Sequence, residues 1–298
     1  MKKAIYRIAN FVYLTLKFKN PFIAFKLSKY RSYQDFNIDF NYQNGKLKFK
    51  SVDFELTNQQ LKSFSFNLFE ITRLARNKYL KGVYSENNNT IINLDYRDSQ
   101  LKLICNTLDN LLIVNELFTD EIYEFNFNKR LICIDIGMNV GYSSLLFSTR
   151  NDIEKIYAYE PFKGTFDNAL NNFKLNSLIA NKINPINEGW SDKTGFFEFQ
   201  NYEDGSVGAS TSFTSELNNF GKIGKIVQVK LIDAANELKK IKQQNPDFGI
   251  FVKMDCEGSE YEIFERLDEE KLVDSVDGYL IEWHYKGAKP ITEILDKY

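Results

Sequence analysis

Histidine is all but missing from this 298-residue sequence, and cysteine and proline are scarce: one His, three Cys and five Pro. Cys105, Cys133 and Cys256 are scattered, with no paired spacing. That pattern excludes a disulfide framework and a zinc cluster, and it fits a reducing compartment. Neither sign of charge dominates. Lys and Arg total 38 and Asp and Glu total 40, leaving a net charge of -2, so no nucleic-acid footprint is present and no nucleic-acid partner is expected. No apolar run approaches the length of a membrane span. No Gly- or Pro-rich linker and no internal repeat breaks the chain, which is long enough to bury a large core in one domain or two. What remains is the composition of an ordinary soluble globular protein, rich in Phe and Tyr.

Acidic residues are missing from residues 1–31, which carry Lys2, Lys3, Arg7, Lys17, Lys19, Lys26, Lys29 and Arg31. Among them sit Ile5, Ile8, Phe11, Val12, Leu14, Leu16, Phe22, Ile23 and Phe25 at roughly helical spacing, interrupted at Asn20-Pro21. The apolar stretches are too short and too charged for a signal peptide. Two readings stand side by side. The segment is a basic amphipathic element for an anionic membrane surface or an acidic partner, or it is a helix pair packed on the domain with its lysines in water. Residues 36–56 alternate apolar and polar around Asn44-Gly45, a hairpin signal. A helix is expected over 59–78, strands at Tyr84, 90–96 and 101–105, and a helix over 108–117. Residues 1–115 thus read as an accessory α+β region, packed directly against a nucleotide-binding part at 116–298.

The organising stretch is residues 131–141, LICIDIGMNVG. Its almost unbroken apolar run suits a central parallel strand buried on both faces. Gly137 and Gly141 allow a sharp turn into a helix beginning at Tyr142. The spacing Asp-x-Gly-x-Asn-x-Gly differs from the dinucleotide fingerprint. Asp135, ahead of the first glycine, sits badly with a pyrophosphate and well with a ligand cationic near the turn, such as the ammonium and sulfonium of S-adenosylmethionine. Its plain alternative is a helix cap. From here strands and helices alternate, the sign of a parallel sheet. Strands are expected at 156–159, 182–186, 195–199, 226–229, 248–254 and 278–283, with helices at 165–176, 234–244 and 259–267.

Glu160 ends the second strand about twenty residues after the turn, where an acid can accept hydrogen bonds from ribose hydroxyls. Phe162 is placed to stack on an adenine, and Asp192 follows the third strand where an adenine amino group would arrive. Residues 253–260, KMDCEGSE, put Asp255 and Glu257 at the carboxyl end of an apolar strand. Two such carboxylates can hold a substrate hydroxyl and accept its proton. Glu260 reads as helix-dipole compensation. His284, the single histidine, stands at the end of the last strand and is a candidate base because an unperturbed imidazole titrates near neutrality. Asp255, Glu257, Glu282 and His284 offer an alternative divalent-metal set, although no metal is expected. Residues 204–212, DGSVGASTS, read as a mobile lid or an idle loop.

Taken together, IDIGMNVGYSS, YAYEPF, EGWSDKTGFFEF, VKMDCEGSEYEIFERL and IEWH resemble the ordered motifs of FkbM-type methyltransferases, over roughly residues 108–284. The resemblance implies a class I methyltransferase fold, a Rossmann-like, doubly wound, mostly parallel sheet, here with an N-terminal α+β portion. It implies S-adenosylmethionine as cofactor and O-methyl transfer to a small-molecule or glycan hydroxyl, in polysaccharide biosynthesis. The cysteine pattern points to a cytoplasmic protein, and the basic residues 1–31, which the family motifs do not explain, allow peripheral contact with the membrane. By position, Asp135, Gly137, Asn139 and Gly141 match the cofactor turn and Glu160 the ribose acid. Asp255 and Glu257 match an acidic Lys-x-Asp-x-Glu-Gly motif, and His284 matches a Glu-x-His strand end. Cys256 stands where a β-branched residue is usual. Such a fold normally continues with a final strand pair after a helix near Pro290, so a truncated chain is one expectation. Two other readings stay open: a nucleotide-dependent oxidoreductase, and a non-catalytic subunit of the same fold held at a membrane by residues 1–31.

Overall fold

The computed structural model describes residues 2–28, 40–49, 54–201 and 225–298. The expected lid at 204–212 and the start of the first expected hairpin strand, 36–39, lie outside these residues. The chain forms two compact units, Met1–Ile122 and Tyr123–Tyr298. A boundary at 115/116 would cut the helix Leu108–Phe118, and the division falls after that helix instead.

The first unit begins with α1 (Lys2–Phe18) and α2 (Pro21–Leu27). Asn20 caps α2 by accepting from the Ile23 N–H, and Pro21 supplies the preset φ of a first helical residue. Strands β1 (Phe40–Gln43) and β2 (Lys46–Phe49) form the expected hairpin and β3 (Glu55–Thr57) pairs alongside. Asn44 and Gly45 both take positive φ, 51° and 76°, as a tight hairpin turn demands. The single helix expected over 59–78 is two, α3 (Asn58–Ser63) and α4 (Leu68–Arg76). Ser65 and Phe66 reverse the chain at φ 49° and 54°, which buries Phe64 and Phe66, and Asn67 caps the new helix. A meander of β4 (Leu80–Glu86), β5 (Asn89–Tyr96) and β6 (Ser99–Ile104), then α5 (Leu108–Phe118), completes the unit.

The second unit is an α/β layered fold. Its strands and helices are β7 (Leu131–Ile136), α6 (Tyr142–Ser148), β8 (Ile153–Tyr159), α7 (Lys163–Leu175), β9 (Ile183–Ile186), β10 (Gly189–Ser191), β11 (Gly195–Asn201), β12 (Lys225–Asp233), α8 (Ala234–Gln244), β13 (Gly249–Met254), α9 (Glu260–Glu269), β14 (Gly278–Ile281) and α10 (Lys289–Leu295). Five strands lie parallel in the order β14-β13-β7-β8-β9. The chain builds outward from β7 on one side, then crosses back to build from β13 on the other. The carboxyl ends of β7 and β13 therefore flank the switch point where open α/β sheets bind ligands. This is the Rossmann-like arrangement expected from the sequence.

Strand alternation divides the core. Ile132, Ile134 and Ile136 of β7 and Ile250, Val252 and Met254 of β13 pack with Leu238 and Ile241 of α8 and with Ile263, Phe264 and Leu267 of α9. The intervening residues face the other way, where Phe251 stacks on Phe125 at 4.1 Å and meets the edge of Phe147 from α6. Asp135 and Lys253 are on this second face and are direct partners across β7 and β13. The strands expected at 195–199 and 226–229 pair with each other, as β11 and β12, in a separate small sheet with β10. Val229 and Leu231 of that sheet bury Phe162. The last strand stops at Ile281, where its partner β13 stops, so Glu282 and His284 lie beyond it.

Candidate active site

A solvent-open cleft lies at the carboxyl ends of β7, β8 and β13. Gly137, Asn139, Glu160, Phe162, Asp255 and Glu257 all line it, so six of the residues singled out in the sequence share one cavity. Gly189, Trp190, Thr165 and Leu231 line it too; none carries a sequence signal strong enough to name it in advance.

The turn after β7 depends on glycine for a reason the sequence does not show. Gly137 has φ +75°, and a Cβ there would lie 1.9 Å from the Asp255 carbonyl oxygen. Gly137 thus lets the ends of β7 and β13 touch, backbone to backbone. Gly141, at φ +84°, starts α6; a Cβ would lie 2.6 Å from the Phe173 ring. It shapes the turn without lining the cleft.

Glu160 is buried, and its carboxylate accepts the backbone N–H groups of Phe162, at 2.9 Å, and of Asn139. Asn187 fixes the exit loop by donating to the carbonyls of Glu160 and Pro161. Burial pushes the Glu160 carboxyl up to about 8, against the opposing pull of those two N–H donors and of Lys253. Phe162 lines the cleft with much of its ring packed on Val229 and Leu231.

Asp135 is not a contact of the cleft. It is wholly buried, and its Oδ2 accepts from the hydroxyls of Ser143 and Ser144 at 2.7 and 2.6 Å. Its charge is answered from within: Lys253 Nζ lies 3.1 Å from Oδ1. The reading of Asp135 as a direct partner for a cationic ligand is therefore corrected to a buried ion pair beneath the turn. Lys253, 2 % exposed, also donates to the Gly137 carbonyl at 2.6 Å and lies 3.8 Å from Asp255. Burial alone would lower its pKa; Asp135 and Asp255 outweigh burial and hold it above the usual lysine value. In the sequence Lys253 shows only as a cation interrupting the apolar run FVKM.

Beyond β13 the acids gather. Asp255 and Glu257 line the cleft, with Glu257 in a left-handed conformation at φ +56°. His284 Nε2 lies 3.9 Å from each of them, and its Nδ1 lies 3.1 Å from Glu260 Oε1. Glu260 is wholly buried and also accepts the Cys256 N–H at 2.9 Å. It is more than a helix-dipole charge. The hydrogen bond to Glu260, first, and the surrounding carboxylates raise His284 to about 9 despite partial burial. The expectation of a neutral imidazole base fails for that reason: at neutral pH the ring already holds both protons. Burial raises Glu257 and Glu282 above the ordinary carboxylate range. Among the described residues, Asp255, Glu282 and His284 bring one donor atom each within 4.8 Å of one another, a set able to hold a divalent cation. Glu257, part of the set drawn from the sequence, is not in that group.

Asp192 falls elsewhere. The chain turns after Ser191, which donates to it at 2.9 Å, and carries Asp192 into an acidic depression with Asp233, Glu262 and Glu265. Gly189 and Trp190, just before it, are the residues that reach the cleft.

The Methyltransferase FkbM domain family matches residues 135–297, more than half of the chain. Among solved structures, the crystal structure of Methyltransferase FkbM from Methylobacillus flagellatus KT is similar over 49 % of this chain and 32 % of its own, with 18 % sequence identity and a TM-score of 0.29. The chain thus covers about a third of that protein's length. Among curated proteins, none matches.

Proposed function

The chain belongs to the FkbM methyltransferase family, and on that premise we propose that it is an S-adenosylmethionine-dependent O-methyltransferase. The observation that carries the reading is Glu160, a carboxylate at the end of β8 that lines the switch-point cleft beside the Gly137–Asn139 turn. An acid in that position, with or without its proton, can exchange hydrogen bonds with the two hydroxyls of a ribose. Once bound, the cofactor would supply a methyl group on a cationic sulfur for in-line transfer to an oxygen.

The chain's own residues would do the rest. Asp135, through Lys253 and the serines of α6, holds the turn in shape; it positions and does not touch the ligand. Gly137 keeps side-chain bulk out of the turn. Asp255 and Glu257 face the cleft, where they can accept hydrogen bonds from an acceptor hydroxyl and align it. Glu257, its pKa raised by burial, makes a better proton acceptor than an ordinary carboxylate. His284, charged and tied to Glu260, offsets the carboxylates around it. Alignment supplies most of the rate, with the base contributing modestly.

The acceptor we propose is a hydroxyl of a sugar or surface-glycan precursor, in polysaccharide biosynthesis. Support comes from the family resemblance and from the cleft lining, which includes carboxylates and no Lys or Arg among the described residues. Such a lining suits a polyhydroxyl group better than a phosphate. Cys105, Cys133 and Cys256 stand outside any disulfide, which fits a cytoplasmic setting. The oxidoreductase reading is weaker, since a dinucleotide would set its pyrophosphate beside Asn139, where its fingerprint needs glycine, and near Glu160. Methyl-labelled cofactor incubated with fractionated cell extract tests the proposal. Label should enter a carbohydrate fraction with wild type and not with Glu160→Ala. Cofactor binding with no label in any fraction would favour the non-catalytic reading.

A further inference from the structure

The described apolar side chains of α1 and α2 fall into two sets, one buried and one exposed. Leu14, Ile23 and Ala24 are buried and anchor α1 and α2 to their own unit. Ile8, Val12 and Leu16, four residues apart along α1, and Phe22 and Phe25 on α2 are all half or more exposed. The two helices are locked to each other: Phe11 meets the edge of Phe25 at 6.3 Å, and Arg7 lies over the Phe25 ring at 5.5 Å. The packed-pair reading of this segment therefore explains one face and leaves a second, apolar face in water.

The charge of this segment has one sign: Arg7, Lys17, Lys19 and Lys26 fall within α1, α2 and the turn between them, and residues 1–31 hold no acidic residue. No helix among the described residues is long and apolar enough to cross a membrane. An amphipathic helix of this kind lies in the plane of a bilayer surface, apolar side chains entering the acyl boundary and cations meeting lipid phosphates. We propose that α1 and α2 dock this face on an anionic lipid bilayer. A bilayer answers both demands together, burying five exposed apolar side chains and meeting the net positive charge of the segment that carries them. The proposal is independent of methyl transfer.

The test uses the full chain and cosedimentation with vesicles of phosphatidylcholine, alone or mixed with phosphatidylglycerol. Binding should require the anionic lipid and weaken with salt. Ile8→Gln with Leu16→Gln should weaken binding by about tenfold or more through lost apolar burial. Lys19→Glu with Lys26→Glu should cost at least about fivefold for each cation removed. All four positions are at least partly exposed, and an unchanged far-ultraviolet circular dichroism spectrum confirms that each variant folds. No pelleting with anionic vesicles, or pelleting of both variants like wild type, overturns the proposal. So does binding to soluble polyglutamate as tight as to vesicles, which would mark an acidic partner instead.

Discussion

Replacing Lys253 with Met tests the ion pair beneath the turn. The substitution keeps a long unbranched side chain and removes the charge, leaving Asp135 wholly buried with only the Ser143 and Ser144 hydroxyls as partners. Breaking a buried pair by removing one partner costs about 3–5 kcal/mol. The two serine hydrogen bonds partly solvate Asp135, which points to the lower part of that range, about 3 kcal/mol. For a domain of this size that is a fall in melting temperature on the order of 6–12 °C. Removing both charges, as Lys253→Met with Asp135→Asn, leaves no isolated ion, and the pair should return to within about 1–2 kcal/mol of wild type. The assay is urea unfolding of the wild type, the two single variants and the double variant, read as a coupling energy. Since the Lys253 pKa is raised, its stabilisation is complete below the unfolded lysine value, so the penalty should be flat between neutral and mildly alkaline pH. A cost below about 1 kcal/mol for Lys253→Met, or a double variant as unstable as the sum of the singles, would refute the reasoning.

Gly137→Ala should cost about 1–2 kcal/mol for its left-handed backbone and about 1–3 kcal/mol more for the clash with the Asp255 carbonyl. It should also abolish cofactor binding; an alanine variant with unchanged melting temperature and affinity would show that the strand ends have room. His284 is raised to about 9, so its pairing with Glu260 stabilises the fold fully below the unfolded value near 6.5 and is lost as pH rises through 9. His284→Asn should lower stability on the order of 1 kcal/mol at neutral pH, allowing for the ring's partial exposure, and should flatten the alkaline fall. Identical stability profiles for variant and wild type between pH 6 and 10 would contradict that pairing.

The main sheet could be read from the sequence because its central strands are nearly pure apolar runs, and because Gly137 and Glu160 punctuate the strand ends at a characteristic separation. Partnerships made by tertiary folding could not. The charge on Asp135 invited a cationic ligand, whereas the fold sets Lys253 opposite it on a strand far along the chain. His284 looked like a base because its chain neighbours do not change its titration; Glu260, 24 residues away, does. Asp192 was misplaced by a single turn, since Gly189 and Trp190 face the cleft and the chain bends after Ser191. The break between α3 and α4 is silent in the sequence because the left-handed turn falls on Ser65 and Phe66, with no Gly or Pro to mark it.

The central claim is that the cleft beside Gly137 and Glu160 binds an adenosyl cation. Isothermal titration of the full chain with S-adenosylmethionine, and separately with NADH, tests it most directly. Saturable one-site binding of the first, none of the second, and loss of heat in Glu160→Ala with a far-ultraviolet circular dichroism spectrum like that of wild type are the predicted results. No binding of S-adenosylmethionine, or binding that Glu160→Ala leaves intact, would contradict the account.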